Sequence, residues 1–125
     1  MVAEKPSVGR DIARVVGANQ RGEGFLHGGG FVVTWAIGHL VQLAQPHEIN
    51  PEWKRWRADL LPMLPHEWPL VVGEQTKDQF EVVRRILTSP KVGEVVCATD
   101  AGREGELIFR YIYEAAHCAK PVKRL

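Results

Sequence analysis

Glu94-Val95-Val96-Cys97-Ala98-Thr99-Asp100-Ala101-Gly102-Arg103-Glu104-Gly105-Glu106 decides the reading of this chain. Val95 to Ala98 is apolar at successive positions, so both faces of a strand here ask for burial. That suits a central parallel strand covered by helices on each side. The run ends in small and acidic residues, and a helix is expected from about Glu104 to Ala116, with Leu107, Ile108, Tyr111, Ile112 and Ala115 as its buried stripe. A buried strand handing over to a helix through Thr99-Asp100-Ala101-Gly102-Arg103 places acidic groups at the carboxyl end of a sheet, where open α/β sheets bind ligands.

Upstream the same alternation repeats. A second helix is expected over Lys77 to Leu87, burying Phe80, Val83, Ile86 and Leu87. Phe31 to Ile37, rich in β-branched and aromatic residues and preceded by Gly28-Gly29-Gly30, reads as a strand. Val8, Ile12, Val15 and Val16 recur at helical spacing between Pro6, which suits a helix start, and Gly17, which suits its end. Residues 45–69 hold five of the eight prolines and three of the four tryptophans, and read as a long excursion with a helical turn around Glu52 to Trp56. Met1-Val2-Ala3 resembles the tail of a strand and Pro121 to Leu125 the beginning of one, so the chain reads as one domain, 1–125, trimmed at both ends. Helices alternating with strands favour an α/β fold with a mostly parallel central sheet flanked by helices.

Composition bounds the function without choosing it. The 125 residues, 45% hydrophobic and 25% charged, fit one globular domain and argue against disorder. Sixteen basic residues against fifteen acidic ones leave a net charge of +1, so a polyanion must be met by a local patch. Cys97 and Cys118 lack zinc-type spacing and read as buried thiols in a reducing, cytoplasmic compartment. No apolar run reaches the roughly 20 residues that span a bilayer, so no membrane partner is expected.

Glu4-Lys5-Pro6-Ser7 stands at a second strand-to-helix handover. If the two strands are parallel neighbours, Glu4, Asp100 and Glu104 meet at one edge as an oxygen-rich set. Such a set suits Mg²⁺, which takes hard oxygen ligands and keeps several waters. The ion in turn suits phosphate chemistry. Each residue also has a plainer use: Asp100 as a helix cap, Glu104 and Glu106 as partners of a helix dipole. His39 could be a hydrogen-bonded structural group, Arg103 the partner of a nearby carboxylate, and Trp35, Trp53, Trp56 and Trp68 packing residues or base-stacking platforms.

Three segments, Ala3-Glu4-Lys5-Pro6-Ser7, Ile37-Gly38-His39-Leu40 and Ala98 to Glu106, resemble in order and spacing the signatures of the Toprim domain of type IA DNA topoisomerases. The Glu-Lys-Pro-Ser form and the tryptophan-rich excursion are most similar to the topoisomerase III branch. The resemblance implies a Toprim (Rossmann-like) fold, Mg²⁺ as cofactor, and single-stranded DNA and the remaining domains of a longer topoisomerase as partners. It implies that Glu4 assists proton transfer beside the scissile phosphate and that Lys5 stabilises charge there. It also implies that Glu4, Asp100 and Glu104 hold the metal, with His39 and Arg103 beside the phosphate. The family's acidic motif is Asp-x-Asp-x-Glu; here Gly102 replaces the middle acid, which leaves DNA phosphate or Glu106 to complete the ion's shell. The family's nucleophilic tyrosine lies in a later domain, and neither Tyr111 nor Tyr113 corresponds to it, so the chain alone is expected to be inactive. Two rival readings stay open: a Toprim nuclease, primase or recombination protein, and a non-catalytic binding module whose acids serve solubility and capping.

Overall fold

The computed structural model describes residues 1–125. In chain order the elements are β1 (Val2–Ala3), α1 (Pro6–Val16), β2 (Gln20–Gly22), β3 (Phe25–Gly28), β4 (Phe31–Trp35), β5 (Val41–Leu43), α2 (Pro46–Ile49), β6 (Leu70–Val72), α3 (Lys77–Thr88), β7 (Val95–Ala98), α4 (Arg103–Ala115) and β8 (Val122–Arg124). Six strands form one sheet in the order β2-β3-β4-β1-β7-β8. The four strands β4, β1, β7 and β8 run parallel, and β2 and β3 add an antiparallel hairpin at one edge. The expected α/β architecture with a mostly parallel, helix-flanked sheet is what the chain adopts.

Pleating distributes the side chains. Val33 and Trp35 of β4 point to α1, where Val33 packs with Ala13 and Ala18 and the Trp35 ring lies against Gly9. Thr34 points the other way, to Gln79 of α3, whose amide donates to the carbonyl of Trp35 at 2.8 Å. The larger core lies on that second face, where Phe80, Val83 and Leu87 of α3 meet Ile108, Phe109 and Ile112 of α4 over Val2, Val95 and Cys97. Fully burying side chains of this size stabilises by about 1.5–3 kcal/mol each, so this face carries most of the fold.

Several details differ from the sequence reading. Val15, one of the apolar residues at helical spacing in α1, is 86% exposed, because the buried positions of α1 are Gly9 and Ala13. Leu107 likewise turns outward; α4 buries Ile108 and Ile112 as expected, and with them Gly105 and Phe109. The excursion over 45–69 is flanked by a second, two-stranded sheet of β5 and β6, and its helical turn is a 3₁₀ turn over Pro51–Lys54. Trp56 and Trp68 are exposed on it, while Trp35 and Trp53 are half-buried. No helix is long and apolar enough to cross a membrane.

Candidate active site at the strand ends

Strand β1 lies between β4 and β7, with Ala3 in register with Trp35 on one side and Ala98 on the other. All three strands therefore end at the same edge. Glu4, the segment Ile37-Gly38-His39, and the segment Thr99 to Glu104 emerge there side by side. Pro6 at the first turn of α1 sends the chain away at once, leaving Glu4 and Lys5 at the handover.

The first contact joins two of the predicted residues. Glu4 Oε2 accepts a hydrogen bond from the main-chain N–H of Asp100 at 2.9 Å. The second joins another two: His39 Nε2 lies 3.3 Å from Glu104 Oε1, with both side chains well exposed. Gly38 makes this possible by turning the chain through a left-handed conformation, φ +64°, which a side chain would strain. Lys5, Arg103 and Asp100 are exposed at the same edge, and neither cation forms an ion pair. The edge thus offers two free cations for a phosphate beside three carboxylates.

Gly105 sets how close α4 comes to the Asp100 turn. A methyl group there would lie 2.2 Å from the Asp100 carbonyl oxygen and 2.9 Å from its nitrogen. Gly102, at the N-cap of α4, faces open space. The two glycines therefore have different work: one permits close packing, the other leaves room.

The donor chemistry fits a hard cation. The three predicted ligands are carboxylates at one exposed edge, and the soft ligand Cys97 is buried beneath it. The side chains are not yet gathered around a common point, since no three His, Cys, Asp or Glu residues stand together as a ligand set. Glu4 is engaged by Asp100 and Glu104 by His39.

Glu106, the possible further ligand named from the sequence, pairs with two arginines here. Arg110 Nε donates to Oε1 at 2.7 Å, and Arg124 Nη1 lies 3.1 Å from Oε2. That hydrogen bond, with the charge of the carboxylate, raises the Arg110 pKa above the ordinary arginine value. Arg124, on the neighbouring strand β8, was not singled out by the sequence. Its guanidinium donates to the carbonyl oxygens of Asp100 at 2.6 Å and Thr99 at 3.2 Å, and to the buried Cys97 sulfur. Nothing in Lys120-Pro121-Val122-Lys123-Arg124 marks this role; only the β7–β8 pairing reveals it.

The chain matches the Toprim domain family over residues 1–125. It is 57% identical over 125 residues to DNA topoisomerase 3 of Shouchella clausii, 50% to that of Bacillus subtilis and 49% to that of Bacillus anthracis. Each alignment takes in the whole of this chain and 17% of the relative, so the chain spans about one sixth of the length of the curated relatives it matches.

Proposed function

The chain belongs to the Toprim domain family, and from that premise we propose that it is the metal-dependent half of the strand-cleaving centre of a type IA DNA topoisomerase of the topoisomerase III kind. The observation that carries the reading is the meeting of Glu4 with the Asp100 turn at the ends of parallel neighbours. Identity of 49–57% to proteins named DNA topoisomerase 3, across every residue of the chain, favours this over a nuclease, primase or recombination protein of the same fold. The exposed, unpaired Lys5 and Arg103 beside Glu4 favour it over a binding module whose acids serve only solubility.

In this reading Asp100 and Glu104, with Glu4 beside them, hold Mg²⁺. When bound, the ion would supply neutralisation of charge on a DNA phosphate. Lys5 and Arg103 donate to that phosphate, Arg103 with a planar fork matched to its oxygens. A tyrosine from elsewhere in the longer protein forms a bond to phosphorus as the bond to the 3′ oxygen breaks. The tyrosine hydroxyl gives up a proton as it attacks and the departing 3′ oxygen takes one up, with Glu4 as the relaying group. Religation reverses these steps. His39, in contact with Glu104, stands beside the site that would hold the ion and the phosphate. Single-stranded DNA and the remaining domains of the longer protein are the partners, and the cytoplasm is the compartment.

The test is Glu4→Gln in the full-length protein, which preserves size and leaves an oxygen to accept the Asp100 N–H. Strand cleavage is expected to fall by about 10²–10⁴-fold, the usual contribution of a general acid–base group, with an unchanged melting curve. Wild-type cleavage by that variant would remove the catalytic reading.

A further inference from the structure

We propose that Glu106 is a positioning residue: it fixes the Arg124 guanidinium across the carbonyls of Thr99 and Asp100, and so sets the main chain that carries Asp100. The proposal deepens the metal-site reading, on which its second measurement rests and its first does not. Asp100 is held from two sides. Its N–H donates to Glu4, and its carbonyl accepts from Arg124 at 2.6 Å. Glu4 and Arg124 come from β1 and β8, on opposite sides of β7, so the two contacts brace the turn across three strands.

Arg124 does not sit there on hydrogen bonds to carbonyls alone. Its guanidinium lies over Cys97 and Thr99, which are 1% and 6% exposed, and it is only about one-third exposed itself. A partly desolvated cation in that position needs a counter-charge, and Glu106 is the one carboxylate that pairs with it. The rigid fork of arginine lets one group serve the carboxylate and both carbonyls together, which an ammonium could not do. Glu106 is in turn steadied by Arg110 one helical turn along α4. The chain of contacts thus runs from α4 through β8 to the Asp100 turn, without Glu106 touching a ligand.

Amide hydrogen exchange on the metal-free 125-residue protein tests this directly. Glu106→Ala is expected to speed exchange at Asp100 and at Leu125, whose N–H bonds to Cys97, by about tenfold. Val83 in the core of α3 should keep its protection. Glu106→Gln, which still accepts from Arg124 but supplies no counter-charge, should recover only part of the effect, and Arg124→Lys should reproduce the alanine result. Unchanged exchange at Asp100 in both Glu106→Ala and Arg124→Lys would overturn the proposal.

Mg²⁺ titration then separates positioning from direct ligation. Positioning predicts that Glu106→Ala and Arg124→Lys weaken Mg²⁺ by similar factors, and that the double variant weakens it no further. A direct ligand would make Glu106→Gln as poor as Glu106→Ala while Arg124→Lys stays at the wild-type value, and that pattern would also overturn the proposal. Failure of the wild-type chain to bind Mg²⁺ would count against the metal-site reading alone, with exchange at Asp100 still deciding the role of Glu106.

Discussion

The carboxylate of Glu4 accepts a hydrogen bond from the main-chain N–H of Asp100, 96 residues away, at 2.9 Å. The contact requires nothing of the Asp100 side chain. It joins a carboxylate to a backbone group, so the Asp100 carboxylate is left unengaged beside it.

Gly102 is where this edge departs from the acidic pattern of type IA enzymes, and it faces open space at the N-cap of α4 with an ordinary φ of −88°. Gly102→Asp should therefore fold without strain and gain a few tenths of a kcal/mol as a better cap. By adding a carboxylate it should tighten Mg²⁺ by about tenfold. With Glu106 bound to arginines, the wild-type chain has few ligands and should bind Mg²⁺ more weakly than micromolar in the absence of DNA. Calorimetric titration of both proteins reads these outcomes. Sub-micromolar affinity in the wild type, or no gain in the variant, would contradict them.

Gly105→Ala should be harmful where Gly102→Asp is not. The added methyl meets the Asp100 carbonyl oxygen at 2.2 Å, and backbone on both sides must move. Overpacking of this kind costs about 1–3 kcal/mol, visible as a lower midpoint in urea denaturation. An unperturbed midpoint would mean that α4 shifts freely, against the close fit seen here.

Gly38→Ala places a side chain at φ +64° and should destabilise by about 1–2 kcal/mol. Gly38→Asn, which tolerates that conformation, should lose less. In the alanine variant the His39 ring should also lose its approach to Glu104. The histidine ring signals in NMR should then stop responding to Glu104→Gln, whereas in the wild type they should respond.

The 125-residue chain should leave negatively supercoiled plasmid unchanged. Tyr113 donates its hydroxyl to the Lys120 carbonyl at 2.7 Å, and Tyr111 packs against the main core, so neither is presented at the acidic edge. Relaxed topoisomers on an agarose gel after incubation with Mg²⁺ and the purified chain would overturn this.

Legibility in the sequence followed burial. Val95 to Ala98 betrays a central strand because a two-sided apolar run has few other uses, and from it the convergence of Glu4 with Asp100 follows once β1 is placed alongside. The hairpin strand β2 was not legible, since Gln20, Arg21 and Gly22 are all exposed and show no alternation. The β5–β6 sheet was hidden by strands of only three residues bracketing a proline-rich stretch. At the site, Glu4, His39, Asp100 and Glu104 were visible through their place at strand ends and their motifs. The Glu106–Arg110 pair was also legible in principle, being four residues apart on one helix. Arg124 was not, because its contacts depend on the register of β8 against β7, which no local pattern encodes.

The place of β1 in the sheet has a consequence for biosynthesis. Val2 is paired with Thr34 early in the chain but also with Cys97 near its end. On a ribosome adding roughly 5–20 residues per second, the second pairing waits on the order of ten seconds after the first becomes available. Until then Glu4 has no Asp100 to meet, and the inner strand offers an open flank to other nascent chains. The proposed ligands Glu4, Asp100 and Glu104 can meet only after the β7–α4 segment has been made, so a cation held by all three cannot template the earlier pairing of β1 with β4.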